Sequence, residues 1–140
     1  GTVELARGVI PIMRRQQSGW IIQNSSLQGF VARPYCGADC GAKYALEGLT
    51  DALRQALKGS GIRVVLIEPG PILSRFRQNA YQAYASGVDT TQSVHREDYG
   101  RLAARLLQPG PAAPFTRPAE AVAQRCYEQW SHPGPERAIS

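Results

Sequence analysis

Asp39 and Lys43 stand one helical turn apart in the stretch Gly37–Gly48, GADCGAKYALEG. At i, i+4 on a helix their side chains share a face and can form an ion pair. Taken alone, that is an ordinary helix-start salt bridge of small energetic value. The surroundings add chemistry. Ser25 and Ser26 close a strand-like run, and in open α/β sheets ligands bind at the carboxyl ends of strands. A hydroxyl there can hydrogen-bond a substrate carbonyl, or simply cap the strand–loop turn. Glu68-Pro69-Gly70-Pro71 closes a second strand-like run. Gly70 lets the backbone approach a flat ligand, or serves a rigid turn. The hydroxyl of Ser74 can reach a ligand amide or phosphate, or cap locally.

The elements that must carry these residues follow from periodicity. Thr2–Arg15 reads as a helix with Val3, Leu5, Ala6, Val9, Ile10, Ile12 and Met13 on a broad apolar face. Pro11 bends it or removes one hydrogen bond. Trp20–Gln23 is too short for a helix and rich in β-formers, so it reads as a buried strand. Leu27–Gly37 is a loop. A long helix spans about Ala38 to Lys58, with Ala42, Ala45, Leu46, Leu49, Ala52, Leu53, Ala56 and Leu57 as its expected buried stripe. Gly59-Ser60-Gly61 ends it. Ile62–Ile67 is nearly all apolar, as a parallel strand covered on both faces should be.

Beyond Pro71 the pattern weakens. Ile72–Ala85 and Val94–Leu107 read as helices, Ser86–Ser93 as a polar, mobile connection, and Gln108–Pro114 as a Pro-rich connector. Thr116–Trp130 carries the marks of a helix with Thr116 as N-cap and Pro118 in the first turn. His132–Pro135 breaks it, and Arg137–Ser140 looks like the opening of a further element. Two strands are therefore expected, Trp20–Gln23 and Ile62–Ile67, joined by a right-handed βαβ crossover.

The 140 residues are 43% hydrophobic, which suits one folded domain with a modest core. The net charge of +5 is spread along the chain instead of gathered into a tract, which argues against nucleic acid as a partner. No apolar run reaches the roughly 20 residues of a membrane span. The three cysteines, Cys36, Cys40 and Cys126, have no metal-type spacing among themselves or with His95 and His132, so no metal is expected. Free, partly buried thiols suit a reducing compartment, hence a cytoplasmic location. The chain opens on Gly1 without Met or a secretory signal, and the true N-terminus is expected upstream.

Asn24-Ser25-Ser26, the segment Ala42-Lys43-Tyr44-Ala45-Leu46-Glu47-Gly48, and Ile67-Glu68-Pro69-Gly70-Pro71-Ile72 followed by Ser74 together resemble the short-chain dehydrogenase/reductase family. The likeness runs along nearly the whole chain, most strongly over Gly1–Phe76, and is especially close to bacterial members grouped with retinol and hydroxysteroid dehydrogenases. It implies an α/β fold: the C-terminal half of a Rossmann-like, doubly wound parallel sheet with helices on both faces. Residues 1–140 would be part of one such domain, with 72–115 as its variable substrate-loop region. It implies NAD or NADP as cofactor, a small alcohol or carbonyl substrate, and a homo-oligomer paired through helices 2–15 and 38–58. Ser26 would polarise the carbonyl and Lys43 would bind the nicotinamide ribose. Asn24, Pro69, Gly70, Pro71, Ile72 and Ser74 would line the cofactor.

Two departures stand out. The family's active-site Tyr belongs at Asp39, thirteen positions after Ser26. A carboxyl has a reference pKa of about 3.9 against about 10 for a phenol, so a carboxylate has no proton to give at neutral pH. Neither Tyr35, in the preceding loop, nor Tyr44, about 100° round the helix from Lys43, takes its place. The Gly-rich dinucleotide turn, G-x-x-x-G-x-G, is also not found in these residues. The expectation is an NAD(P)-dependent oxidoreductase that is truncated and inactive as the chain stands. The alternatives are a non-catalytic pseudoenzyme or dimerisation module, and a broken reading frame with no function.

Overall fold

The computed structural model describes residues 1–111, 113–132 and 137–139, the last three as backbone. The chain divides into two compact units, Gly1–Gly70 with Glu120–Ser140, and Pro71–Ala119.

The first unit is built on a parallel sheet. Helix α1 (Thr2–Gln16) runs through Pro11 and ends where Gln17 turns left-handed at φ 53°. Strand β1 (Gly19–Asn24) follows, then a 3-10 turn (Leu27–Gly29), helix α2 (Gly37–Ala56) and strand β2 (Ile62–Glu68). β1 and β2 pair in parallel from Gly19↔Ile62 to Asn24↔Ile67, with α2 as the crossover. Gly61 lies at φ 76°, and a Cβ there would collide with the main-chain oxygen of Gln17. Only glycine lets β2 enter so close to the α1–β1 turn.

β2 is covered on both sides. Ile62 and Val64 join Ile21 and Leu57 in one cluster, with Ile10 and Met13 of α1 and Leu53 of α2 packed against it. Val65 and Ile67 lie on the opposite face, against Trp20, Ile22 and two residues of helix α5 (Glu120–Ser131), Val122 and Cys126. This is the doubly wound α/β arrangement, and it explains why β2 alternates so little in polarity. All three cysteines are free thiols, and Cys40 is buried.

Four expectations need correction. The sheet has a third strand, β5 (Arg137–Ile139), parallel to β2 at Leu66↔Arg137, so the order is β1-β2-β5 and β1 is an edge. Ile72–Ala85 is not one helix: Ile72–Leu73 forms strand β3, and helix α3 begins at Phe76 and runs to Gly87, into the stretch read as a polar connection. Thr116 caps no helix. Its hydroxyl donates to the Ala113 carbonyl at 2.6 Å, Arg117–Pro118 form strand β4 beside β3, and α5 starts at Glu120. Pro118 thus sits in a short strand where no ladder hydrogen bond from it is needed. The end of α5 is as expected, at Ser131, while residues 133–136 and 140 lie outside the described residues.

The fourth correction concerns α2. Of the expected stripe only one edge turns inward, Leu46 and Leu53 half-buried and Leu57, just past the helix, buried. The helix also buries a face roughly 100° round from that stripe, holding Cys40, Glu47 and Thr50 with Lys43 and Arg54 half-buried. Thr50 donates to the Leu46 carbonyl, and Arg54 Nε donates to the main-chain oxygen of Val64 at 3.1 Å. Leu49 is 51% exposed, and Ala42, Ala45, Ala52 and Ala56 face solvent. α1 behaves alike: Ala6 is buried, yet Val3, Leu5 and Ile12 are exposed.

The second unit pairs α3 with helix α4 (Arg96–Leu107), where Tyr84 and Tyr99 meet at 6.4 Å between ring centroids. No helix among the described residues is long and apolar enough to cross a membrane.

Candidate functional site

The carboxyl ends of β1 and β2 are laced together beyond the strands themselves. Ser25 N–H donates to the Ile67 carbonyl at 2.8 Å, and Leu27 N–H donates to the Pro69 carbonyl at 3.2 Å. The two serines alternate across this extended backbone as side chains on a strand do. Ser25 faces inward, 4% exposed, with no hydrogen-bond partner for its hydroxyl oxygen among the described residues. Ser26 is half-buried, and its Oγ accepts the amide N–H of Gln28 at 3.2 Å, capping the 3-10 turn. The capping role considered from sequence is thus realised. It uses Ser26 only as an acceptor, so the hydroxyl proton is left to donate.

α2 brings its first turns to the same place. Lys43 is half-buried, and its Nζ donates to the main-chain oxygen of Asn24 at 3.2 Å. The i, i+4 ion pair that the spacing allows is not made: Asp39, in the first turn, is exposed, and the ammonium goes to the strand end instead. Tyr35, 45% exposed, sits in the left-handed region at φ 61°, an uncommon conformation for a bulky residue. Tyr44 is equally exposed on α2.

One turn beyond Lys43 lies a residue that sequence reasoning passed over. Glu47 is 8% exposed, and its carboxylate packs against Gly29 and beside Ser25. A signal existed: Asp39, Lys43 and Glu47 repeat at four-residue intervals and so share one helix face. The burial of Glu47 on that face makes it the side turned to the strand ends.

The structure therefore assembles Asn24, Ser25, Ser26, Lys43 and, through Leu27, Pro69 at one end of the sheet. Gly70 follows half-buried. Pro71, Ile72 and Ser74 belong to the second unit. There the Pro71 carbonyl accepts Arg117 N–H at 2.9 Å, Ile72 pairs with Arg117 in β3–β4, and Ser74 Oγ accepts Phe76 N–H at 3.3 Å. Chemically, the sheet end offers a hydroxyl donor, a fixed ammonium and, on the same helix face, an exposed carboxylate. Among the described residues no group of three His, Cys, Asp or Glu side chains is placed to hold a metal ion.

A family model described as short chain dehydrogenase matches residues 1–85. The uncharacterized oxidoreductase YbbO of Escherichia coli (strain K12) is 39% identical over 125 residues, covering 89% of this chain and 40% of that protein. Human 17-beta-hydroxysteroid dehydrogenase type 1 is 32% identical over 98 residues, covering 69% of this chain and 30% of that protein. The crystal structure of a short chain dehydrogenase/reductase from Burkholderia phymatum in complex with NAD shares the fold, with a TM-score of 0.68 at 21% identity, over 96% of this chain and 46% of that one. The chain spans about 40% of the length of the Escherichia coli relative.

Proposed function

The chain belongs to the short chain dehydrogenase family, and from that premise we propose that it is part of an NAD(P)-dependent oxidoreductase acting on a small alcohol or carbonyl compound. The observation that carries this reading is the Lys43 ammonium held at 3.2 Å from the Asn24 carbonyl, at the carboxyl end of the parallel strand that runs on into Ser26. The residues fit the nicotinamide-ribose end of the cofactor: a donor already oriented, a glycine at position 70 and a free hydroxyl proton. Lys43 would hold the ribose, and Asn24, Pro69, Gly70, Pro71, Ile72 and Ser74 would lie along the nicotinamide. When bound, the dinucleotide gives or takes the hydride. The Ser26 hydroxyl would donate a hydrogen bond to the substrate oxygen, keeping its proton, and so stabilise negative charge developing there. Residues 72–115 form the variable region that selects the substrate.

Asp39 stands where the proton donor belongs. A carboxylate cannot protonate the product oxygen at neutral pH, and losing a general acid typically costs about 10²–10⁴ in rate. We therefore propose that the chain with Asp39 turns over slowly or not at all. These residues contain no Gly-rich phosphate turn either, and they should hold the dinucleotide weakly by themselves.

The test joins this chain to the cofactor-binding segment of the Escherichia coli relative, with Asp39 retained or as Asp39→Tyr, and follows NAD(P)H absorbance over a panel of alcohols and ketones. The Asp39→Tyr form should turn over at least about 10²-fold faster. Equal rates would remove Asp39 from the proton-donor role. A joined chain that binds cofactor yet oxidises and reduces nothing in either form would overturn the oxidoreductase reading.

A second reading has its own support. Ala42, Ala45, Leu49, Ala52 and Ala56 of α2 and Val3, Leu5 and Ile12 of α1 are turned to solvent. Such surfaces fit pairing of two copies through helices 2–15 and 38–58, an interaction that needs no catalysis.

A further inference from the structure

The unit Pro71–Ala119 contains a cleft of its own, about 690 Å³, within the size range of small-molecule sites. Its walls are apolar at Leu73, Leu106 and Leu107, and its charged residues are two arginines, Arg77 and Arg117, with no acidic residue. The acids of this unit are engaged elsewhere. Asp98 pairs with Arg101 and His95, Glu97 with Arg101, and Asp89 accepts from Thr91. Charge is thus segregated, and the cleft is left positive.

The two arginines are differently held. Arg77 donates to the main-chain oxygen of Gly110 across the cleft, which fixes its guanidinium while further N–H groups stay available. Arg117 has its backbone fixed by β4 and by its N–H bond to Pro71, whereas its exposed side chain has no carboxylate partner among the described residues. A guanidinium presents a planar fork that matches a carboxylate. Leucines lining the same space would take an alkyl or similar apolar chain, each buried methylene tightening binding by about fourfold.

We infer that this cleft binds an amphipathic carboxylate, an apolar chain ending in –COO⁻ that is received by Arg117 and Arg77. The site stands on the residues of this unit alone. It can be read at equilibrium without cofactor, so its failure and the failure of the oxidoreductase reading are separate results.

The experiment titrates the isotopically labelled chain with octanoate, acetate and 1-octanol, following amide shifts. Octanoate should shift Leu73, Leu106, Leu107 and Arg117 saturably, with acetate and 1-octanol each at least about tenfold weaker because each lacks one half of the match. Arg117→Gln should weaken octanoate about tenfold, the loss of one charge-assisted contact, and leave 1-octanol unchanged. Since Arg77→Gln also removes the bond to Gly110, Arg117→Gln is the deciding variant, its fold checked by unchanged shifts at Tyr84 and Tyr99, which pack α3 on α4 in the same unit. Equal binding of 1-octanol, undiminished octanoate binding by Arg117→Gln, shifts centred outside the cleft, or no saturation below the micelle-forming concentration would each overturn the site.

Discussion

The carboxylate of Glu47 fills the space a side chain at Gly29 would need: a Cβ on Gly29 would stand 2.7 Å from Glu47 Oε1 and 2.9 Å from Ser25 Oγ. Both residues are buried, and Gly29 closes the 3-10 turn Leu27–Gly29 that Ser26 caps. Gly29→Ala should therefore destabilise the protein by about 1–3 kcal/mol through overpacking. Glu47→Ala costs stability alone, yet in the Gly29→Ala background it should cost less, because the intruding methyl then has room. Urea unfolding of the four proteins in this cycle measures the coupling. Strict additivity would mean that the turn shifts away from Glu47 freely.

The lack of a Gly-rich turn in these residues leads to a binding prediction. Calorimetric titration of the 140-residue chain with NAD(H) and NADP(H) should show no low-micromolar affinity, since these residues contain no Gly-rich turn that would let a pyrophosphate approach a helix N-terminus. Low-micromolar binding of either would show that the sheet end around Lys43 suffices.

Asp89 provides a pH marker in the second unit. Its carboxylate accepts the backbone N–H of Thr91 at 2.9 Å and the Thr91 hydroxyl at 2.8 Å, and these bonds hold its pKa below the usual 3.8. A depressed folded pKa means that the turn is supported at pH values above 3.8 and loses that support as pH falls through the lower folded value. An NMR titration following the Thr91 amide should give a midpoint under 3.8, abolished by Asp89→Asn. A midpoint at or above 3.8 would show that the bonds do not persist in solution.

Self-association follows from what the first unit leaves uncovered. Leu49 is 51% exposed on α2, Leu5 70% exposed on α1, and β1 is an edge of the described sheet. Edge strands and apolar helix faces both recruit partners. Size-exclusion chromatography with light scattering should find a dimer or larger species, and Leu5→Glu with Leu49→Glu should shift it towards monomer. A monodisperse wild-type monomer would count against pairing through these helices.

What the chain itself determined is local in origin. The run Ile62–Ile67, apolar at every position but Arg63, has enough β-branched character to be a covered strand anywhere, and Gly59-Ser60-Gly61 stops α2 wherever it lies. Asn24-Ser25-Ser26, Lys43 and Pro69-Gly70 carry the family resemblance as short local motifs, legible in the sequence without any partner. Tertiary structure decided the rest, because those choices depend on partners far along the chain. Arg137–Ile139 is a strand through its pairing with Leu66–Glu68, which no three-residue window can contain. Thr116 and Pro118 carry sound helix-start chemistry, yet Ile72 pairs with Arg117 and draws that segment into β4. On α2 the apolar stripe predicted an inward face, but the Val64 carbonyl of β2 took Arg54 and Glu47 packed against Gly29, which turned the helix so that Leu46, Leu53 and Leu57 stay inward while Leu49 and the four alanines face out. Spacing alone permitted an Asp39–Lys43 pair. The Asn24 carbonyl, nineteen positions before Lys43 in sequence but 3.2 Å away in space, took the ammonium instead: a hydrogen bond to a preformed strand end orders one long side chain, whereas an exposed ion pair must order two in water that already solvates both.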